Sequence, residues 1–260
     1  MRKNPKINRD SMKKGIYMLP NLFTTASLFF GFYSIITSIR GDFPKAAIAI
    51  IISCILDGLD GKIARVTNTT SKFGAEYDSL SDLVAFGMAP AVLVYLWALV
   101  SFGRYGWLSA FLFVVCGALR LARFNVQIDA VDSKVFNGLA IPAAAVVIAT
   151  TVLFFQFLGG KGQFNHVSVL SATVALSLLM VSNIKYYSFK DLDFFSRKPF
   201  MTFVLIIIML IIIVLEPQVM LFVLALGYSL SGPGWVLYRI AKKQKQKQKQ
   251  ENVESYNNRI

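Results

Sequence analysis

Between residues 57 and 82 the chain reads DGLDGKIARVTNTTSKFGAEYDSLSD, and four aspartates fall there, Asp57, Asp60, Asp78 and Asp82, in a chain with fourteen acidic residues. The first pair is spaced by three and the second by four, which on a helix sets each pair on one face, one turn apart. The polar stretch VTNTTSKFG between them reads as a short loop joining two antiparallel helices. All four carboxylates can then converge on one small volume. An aspartate deep in a spanning helix costs about 2.5–3.5 kcal/mol, and four together add mutual repulsion. Only Lys62, Arg65 and Lys72 supply countercharge within the segment. Divalent cations answer the problem better, because carboxylate oxygens are the ligands that Mg2+ and Mn2+ take. Four acids suit two ions sharing bridging carboxylates, the arrangement of two-metal phosphoryl-transfer sites.

The neighbours of the acids fit the same chemistry. Gly61, Ala64 and Gly74 remove bulk beside them, and a glycine inside a helix costs up to about 1 kcal/mol against alanine, so a close approach is expected to compensate. Arg65 carries a planar fork suited to phosphate oxygens. Packing of helices through small residues, with Arg65 reaching to headgroups, accounts equally well for these residues taken alone. In LPNLFTT, at 19–25, Pro20 is expected at a helix start, with Asn21 and Thr24 one turn apart as either caps or polar contacts to a ligand. The single histidine, His166, and the two isolated cysteines, Cys54 and Cys116, leave no material for a zinc site or a serine–histidine triad.

The elements that must position these acids are membrane helices. The chain has 260 residues, 55% of them hydrophobic and 16% charged, and apolar runs near the length of a bilayer crossing recur along it. Eight are visible, at about 18–38, 44–63, 79–101, 105–125, 137–158, 166–185, 200–215 and 217–239. Backbone groups in lipid must pair within their own segment, so the runs are expected to be helices. Starting inside, 23 of the 27 Lys and Arg fall on one side, leaving Arg40, Lys45, Arg104 and Lys161 for the other. That asymmetry predicts both termini in the cytoplasm and an even number of spans. It also accounts for the +13 net charge through anionic headgroups, without nucleic acid.

Three units are expected along the chain: a basic cytoplasmic leader at 1–16, a membrane catalytic domain at 17–240, and a basic, disordered cytoplasmic tail at 241–260 that begins AKKQKQKQKQ. The leader and first apolar run resemble a signal peptide in outline, but no small-residue cleavage site closes the run, so a retained helix is expected. SGPGW at 231–235 predicts a kink in the last span.

The acidic segment resembles the signature of the CDP-alcohol phosphatidyltransferase family. Asp57, Gly58, Asp60, Gly61, Ala64 and Arg65, then Gly74, Asp78 and Asp82, stand at the family's spacings. The resemblance covers roughly residues 15–240 and implies an all-α integral membrane protein with a six-helix core; the eight runs would add two helices to it. It also implies a homodimer and two divalent cations, Mg2+ or Mn2+, gripping the diphosphate of a CDP-linked lipid while an alcohol displaces CMP. By the same resemblance Asp57, Asp60 and Asp78 hold the metals, and Asp82 joins the second metal and is the candidate general base. Gly61 and Gly74 leave room for the nucleotide, Arg65 and Ser71 contact its phosphates, and Asn21 and Thr24 belong to the nucleotide pocket.

The acceptor is indicated by other stretches. CGALRLARFNV at 116–126, FNGLAIPAAA at 136–145, AEYDSLSDLVAFGMAPA and the opening YMLPNLFTTASLFFGFYSI resemble the family's bacterial and archaeal phosphatidylserine synthase branch. Ala140 departs from it, standing where that branch commonly has proline. The resemblance implies CDP-diacylglycerol and L-serine as substrates, giving phosphatidylserine and CMP at the cytoplasmic side of a multi-pass cell membrane protein. Arg120 and Arg123, three apart at the end of an apolar run, are candidates for the serine carboxylate or a substrate phosphate; positive-inside anchoring is the competing account of each. Two other functions stay open. A sibling enzyme would use glycerol 3-phosphate or inositol phosphate, and a cation transporter would use the aspartates as an ion path.

Overall fold

The computed structural model describes residues 9–67, 71–127, 135–160, 162–164, 166–187, 204, 207 and 215–257. Helix α1 (Arg9–Ile39) turns at Gly41, whose φ of +79° suits a residue without Cβ, into α2 (Phe43–Val66). The turn is fixed by Asp42, whose Oδ1 accepts from the Lys45 backbone N–H at 3.3 Å while Oδ2 pairs with Lys45 Nζ at 2.7 Å. After a polar loop the chain re-enters as one helical rod, Lys72–Phe102. Its α-helical parts are α3 (Lys72–Asp82) and α4 (Ala89–Val94), separated by wide π-turns over Leu83–Met88. Pro90 lies just beyond those turns. Its missing N–H and its ring disfavour a regular α-turn there, and a wider turn relieves both. A second π-stretch, Tyr95–Leu99, and a 3-10 turn end the rod.

Gly103 leads into α5 (Arg104–Gln127), followed by α6 (Ile141–Phe157), α7 (Val167–Val181) and α8 (Pro217–Asn257). His166 caps α7, its Nδ1 accepting from the Ser168 N–H at 3.2 Å. Two three-residue strands, β1 (Val135–Asn137) and β2 (Lys185–Tyr187), pair antiparallel with Phe136 opposite Tyr186. They join the segment before α6 to the one after α7. Tyr186 then donates from its hydroxyl to the Ser229 carbonyl at 2.9 Å, tying the pair to α8.

The core lies where α2, the rod, α5 and α6 meet, and much of it is alanine: Ala46, Ala47, Ala85, Ala89, Ala144, Ala145 and Ala149 are all buried. Small residues let helices approach closely where lipid supplies no hydrophobic drive between them. Helix α1 meets the rod closely at Gly31, where a Cβ would stand 2.6 Å from the Ala85 Cα. Trp97, Phe155 and Phe164 close the end of the bundle near the α1–α2 turn, with ring centroids 4.6–5.7 Å apart. Large apolar side chains face outward along the helices, among them Phe29, Ile48, Phe111 and Leu178. A bilayer is the solvent that such a surface fits.

The protein is therefore a helical, multi-pass membrane protein, with differences from expectation. Among the described residues four helical stretches have the length and hydropathy to cross a membrane: Asn21–Ile39, Lys72–Phe102, Arg104–Val126 and Pro217–Val236. The count of eight is not reached by that measure. Helices α6 and α7, at 17 and 15 residues, fall short of the roughly 20 needed to cross upright. The expected run at 200–215 lies outside the described residues apart from 204, 207 and 215. Pro20 does not open a helix: α1 is already under way at Arg9, inside the segment set apart as a leader. Helix α8 passes Pro233 without ending and continues to Asn257, through most of the segment expected to be a disordered tail.

Candidate metal and phosphate site

Asp57 and Asp60 stand within the last three turns of α2, and Asp78 and Asp82 on the last two turns of α3. The loop between them is short because Ser71 starts α3 abruptly: its Oγ accepts the Gly74 N–H at 2.9 Å, an N-cap that satisfies one of the free amides. Sequence spacing and chain reversal together bring the pairs face to face. One carboxylate oxygen each from Asp57, Asp60 and Asp78 lies within 4.8 Å of the others. Asp82 is not in that triple; its carboxyl stands against Asp57, within hydrogen-bonding reach, with Arg120 of α5 near enough to act on its charge.

Helix α1 locks this geometry. Thr24 donates from Oγ1 to Asp60 Oδ2 at 2.9 Å, and Asp60 is only 5% exposed. Ser81, beside Asp82, donates to the Thr24 carbonyl at 3.1 Å. Thr25 and Tyr77 share a hydroxyl–hydroxyl bond of 3.0 Å, and Ser27 and Ser53 one of 2.7 Å deep in the α1–α2 contact. On the far side Asn125 donates to Ser79 at 3.0 Å, holding α5 against α3. Polar side chains inside a membrane bundle pair across helices because hydrocarbon offers no partner.

A divalent cation fits the residues present. The donors are hard carboxylate oxygens, and Asp78 Oδ1 is buried without a hydrogen-bond partner. Such an orphan is costly unless something else satisfies it. Two like charges about 4 Å apart repel by about 4 kcal/mol at an effective dielectric constant near 20. Several such pairs rival the whole stability of a domain, about 5–15 kcal/mol. A cation bound among these oxygens would offset that repulsion.

The remaining candidates divide. Asn21 lies close to Gly74, where a Cβ would come within 3.4 Å of Asn21 Oδ1 and 3.1 Å of Ser71 Oγ, so Asn21, Ser71 and Gly74 form one edge of the site. Gly61 is half-buried on α2 between Asp60 and the helix end. Arg65 belongs to the last turn of α2, and its side chain lies outside the described residues. Arg120 is half-buried with its Nε unpaired, and it also interacts with Tyr228 of α8. Arg123 instead donates from Nη1 to Asn183 Oδ1 at 3.1 Å, beyond the end of α7. Sequence reasoning did not find Ser27, Ser53, Thr25, Tyr77, Ser81, Asn125 or Tyr228. The legible signal was hydroxyl and amide side chains inside apolar runs, where they face the bundle rather than lipid.

Fold and site define a class: a helical membrane protein that gathers carboxylates from two adjoining helices, with a hydroxyl- and amide-lined edge supplied by a third. Residues 17–182 match the CDP-alcohol phosphatidyltransferase family, and the chain belongs to it. Among its relatives, the CDP-diacylglycerol–serine O-phosphatidyltransferase of Helicobacter pylori (strain ATCC 700392 / 26695) is 43% identical over 78% of this chain and 84% of its own length. The Mycobacterium leprae protein of the same name is 37% identical over 82% of this chain and 72% of its own. An archaetidylserine synthase from Methanothermobacter thermautotrophicus is 39% identical over 65% and 69% respectively.

Proposed function

We propose that this chain transfers the phosphatidyl group of CDP-diacylglycerol to the hydroxyl of L-serine, giving phosphatidylserine and CMP. The observation that carries the reading is the convergence of Asp57, Asp60 and Asp78 within 4.8 Å, with Asp82 beside them. The serine acceptor rests on the names of relatives up to 43% identical.

Asp57, Asp60 and Asp78, with Asp82 at the second position, would hold two divalent cations, Mg2+ or Mn2+. Such ions, when bound, neutralise the diphosphate and make CMP a better leaving group. The chain's own residues do the rest. Asp82 takes the proton from the serine hydroxyl as its oxygen attacks the phosphatidyl phosphorus. The P–O bond to CMP breaks, and CMP leaves with the electron pair. Ser71 Oγ already accepts from the Gly74 N–H, which leaves its own O–H to donate to a phosphate oxygen. Arg65 adds its fork, Asn21 and Thr24 border the nucleotide, and Gly61 and Gly74 leave it room. Arg120, half-buried with an unpaired Nε, reads the serine carboxylate; Arg123, engaged with Asn183, is the lesser candidate.

The same reading makes α2, α6, α7 and the 200–215 run additional spans, eight in all, on a six-helix core. The aspartates lie at the cytoplasmic side of the cell membrane, with both termini cytoplasmic, in a homodimer. The leader ends near residue 16 and the catalytic unit near 240.

The test is direct. The purified protein in detergent, with Mg2+ or Mn2+ and CDP-diacylglycerol, is offered serine, glycerol 3-phosphate or inositol phosphate in turn. CMP release and a new lipid are expected with serine alone. Release with a phosphorylated alcohol transfers the function to a sibling reaction, and no lipid product with any acceptor removes the enzymatic reading.

A further inference from the structure

A second basic feature lies apart from the carboxylates. A cavity of about 370 Å3 opens between the segment after α7 and the middle of α8, lined by Asn183, Ile184, Trp235, Val236 and Arg239. Its size is within the roughly 300–1,000 Å3 of small-ligand pockets. The Arg239 guanidinium sits over the Trp235 ring, 5.5 Å from the centroid. Arg123 comes from α5 and donates to Asn183 at 3.1 Å, so a second guanidinium borders the cavity through a residue that lines it. Among the described residues neither arginine is paired with an acid; the ion pair found there is Lys45 with Asp42, at the α1–α2 turn. Arg123 and Asn125 share the last turns of α5, and Asn125 bonds to Ser79 of α3, which fixes the cavity at the same end of the bundle as the aspartates.

A lone arginine reaching to headgroups would need neither a cavity nor a second cation. Here Arg239 lines a largely apolar hollow and Arg123 reaches Asn183 on its wall, each with N–H groups to spare, because a guanidinium carries five and Arg123 spends one on Asn183. Trp235, 39% exposed, has the amphipathic ring that settles at headgroup depth. Basic pockets between helix ends facing an anionic leaflet hold lipid headgroups. Paired forks match the two free oxygens of a phosphodiester.

We propose that this cavity is a binding site for the phosphodiester of an anionic phospholipid, separate from the carboxylate site and independent of the reaction proposed there. The shared chemistry is a phosphate oxyanion, and lipid headgroup and free phosphate are told apart by the test. The full chain, purified in a neutral detergent, is given an equimolar mixture of phosphatidylglycerol and phosphatidylcholine with identical acyl chains. Retained lipids are counted by native mass spectrometry. Phosphatidylglycerol is expected in excess by about fivefold or more; in Arg239→Gln the ratio falls to within about twofold of unity, and Arg239→Lys keeps an intermediate preference. Adding inorganic phosphate leaves the retained phosphatidylglycerol unchanged. No preference in the unaltered protein, or an unchanged preference in Arg239→Gln, overturns the site. Displacement by inorganic phosphate overturns the headgroup assignment. Should Arg239→Gln fail to fold, the unaltered protein decides: the preference must shrink as salt rises from about 0.05 to 0.5 M, and a salt-independent ratio counts against it. Lipid retention is read without turnover, so failure here leaves the phosphatidyl-transfer reading untouched.

Discussion

At the scale of single residues, Thr24 and Asp82 carry different loads. Thr24 touches no substrate in the proposed reaction except at its edge, yet its 2.9 Å bond fixes one oxygen of Asp60 in a buried setting. Hydrogen bonds to charged groups contribute about 1.5–3 kcal/mol, so Thr24→Val is expected to raise the Mg2+ concentration for half-maximal CMP release by about tenfold or more. Thr24→Ser, which keeps the hydroxyl, should restore most of it. Asp82→Asn keeps the shape and removes the base; general acid–base contributions of about 10²–10⁴ set the expected loss in kcat, read as CMP release at saturating serine. Arg120→Gln is expected to raise the serine KM with kcat moved less, the pattern of a group that holds the acceptor equally in ground and transition states. An unchanged KM would return Arg120 to a packing role. The gathering of the four aspartates was legible from type and spacing, whereas nothing in the sequence separated Arg120, which lies near Asp82, from Arg123, which bonds to Asn183. The hydroxyls that lock the aspartates were not legible, because Ser27, Ser53 and Ser81 look like ordinary small residues until three helices are laid side by side.

Glycine content shows what the sequence reveals about elements and what it withholds. Gly58 and Gly31 both sit inside helices and look alike on paper, yet the structure separates them. At Gly58 a Cβ would meet nothing within 4 Å, whereas at Gly31 it would meet the Ala85 Cα at 2.6 Å. Gly31→Ala must therefore push α1 off the rod, with an expected cost of about 1–3 kcal/mol, the usual range for overpacking. Gly58→Ala should leave the thermal midpoint unchanged or raised, since alanine is favoured over glycine in a helix by about 1 kcal/mol. Thermal unfolding of both variants in detergent checks the contrast. Helix existence was readable from apolar runs, and α2, α5 and α7 begin and end close to where the runs do. Helix ends were less readable. Polar segments at both chain ends carry no apolar period, yet α1 reaches back to Arg9 and α8 runs on to Asn257. Runs of Lys and Gln are good helix formers in their own right, so loss of periodicity is not loss of helix. The strand pair β1–β2 was invisible for the opposite reason: three residues on each side are too few to show an alternation.

Over the whole molecule, the carboxylate cluster sets stability against function. Helices α2 and α3 are pressed together by the core and by bonds from α1, and that packing crowds Asp57, Asp60 and Asp78 within 4.8 Å. Without a cation the folded state bears their repulsion; the unfolded chain, with the acids apart, does not. A divalent ion that binds only the folded arrangement must then stabilise the entire bundle by mass action, about 2.7 kcal/mol at a free concentration of a hundred times its Kd. The thermal midpoint of the purified protein is expected to fall on chelation and to recover with Mg2+ or Mn2+. Asp78→Asn separates this from any general salt effect. It removes one of the crowded charges and an oxygen that is buried without a partner, so the metal-free variant should unfold at a higher temperature than the metal-free parent. Added Mg2+ should then raise its midpoint little, and CMP release should be lost. That pairing of a more stable fold with a dead site is the signature of residues held together for chemistry rather than for packing. A metal-free Asp78→Asn that melts lower than the parent, with its Mg2+ response intact, would mean that the cluster is not where the cation binds.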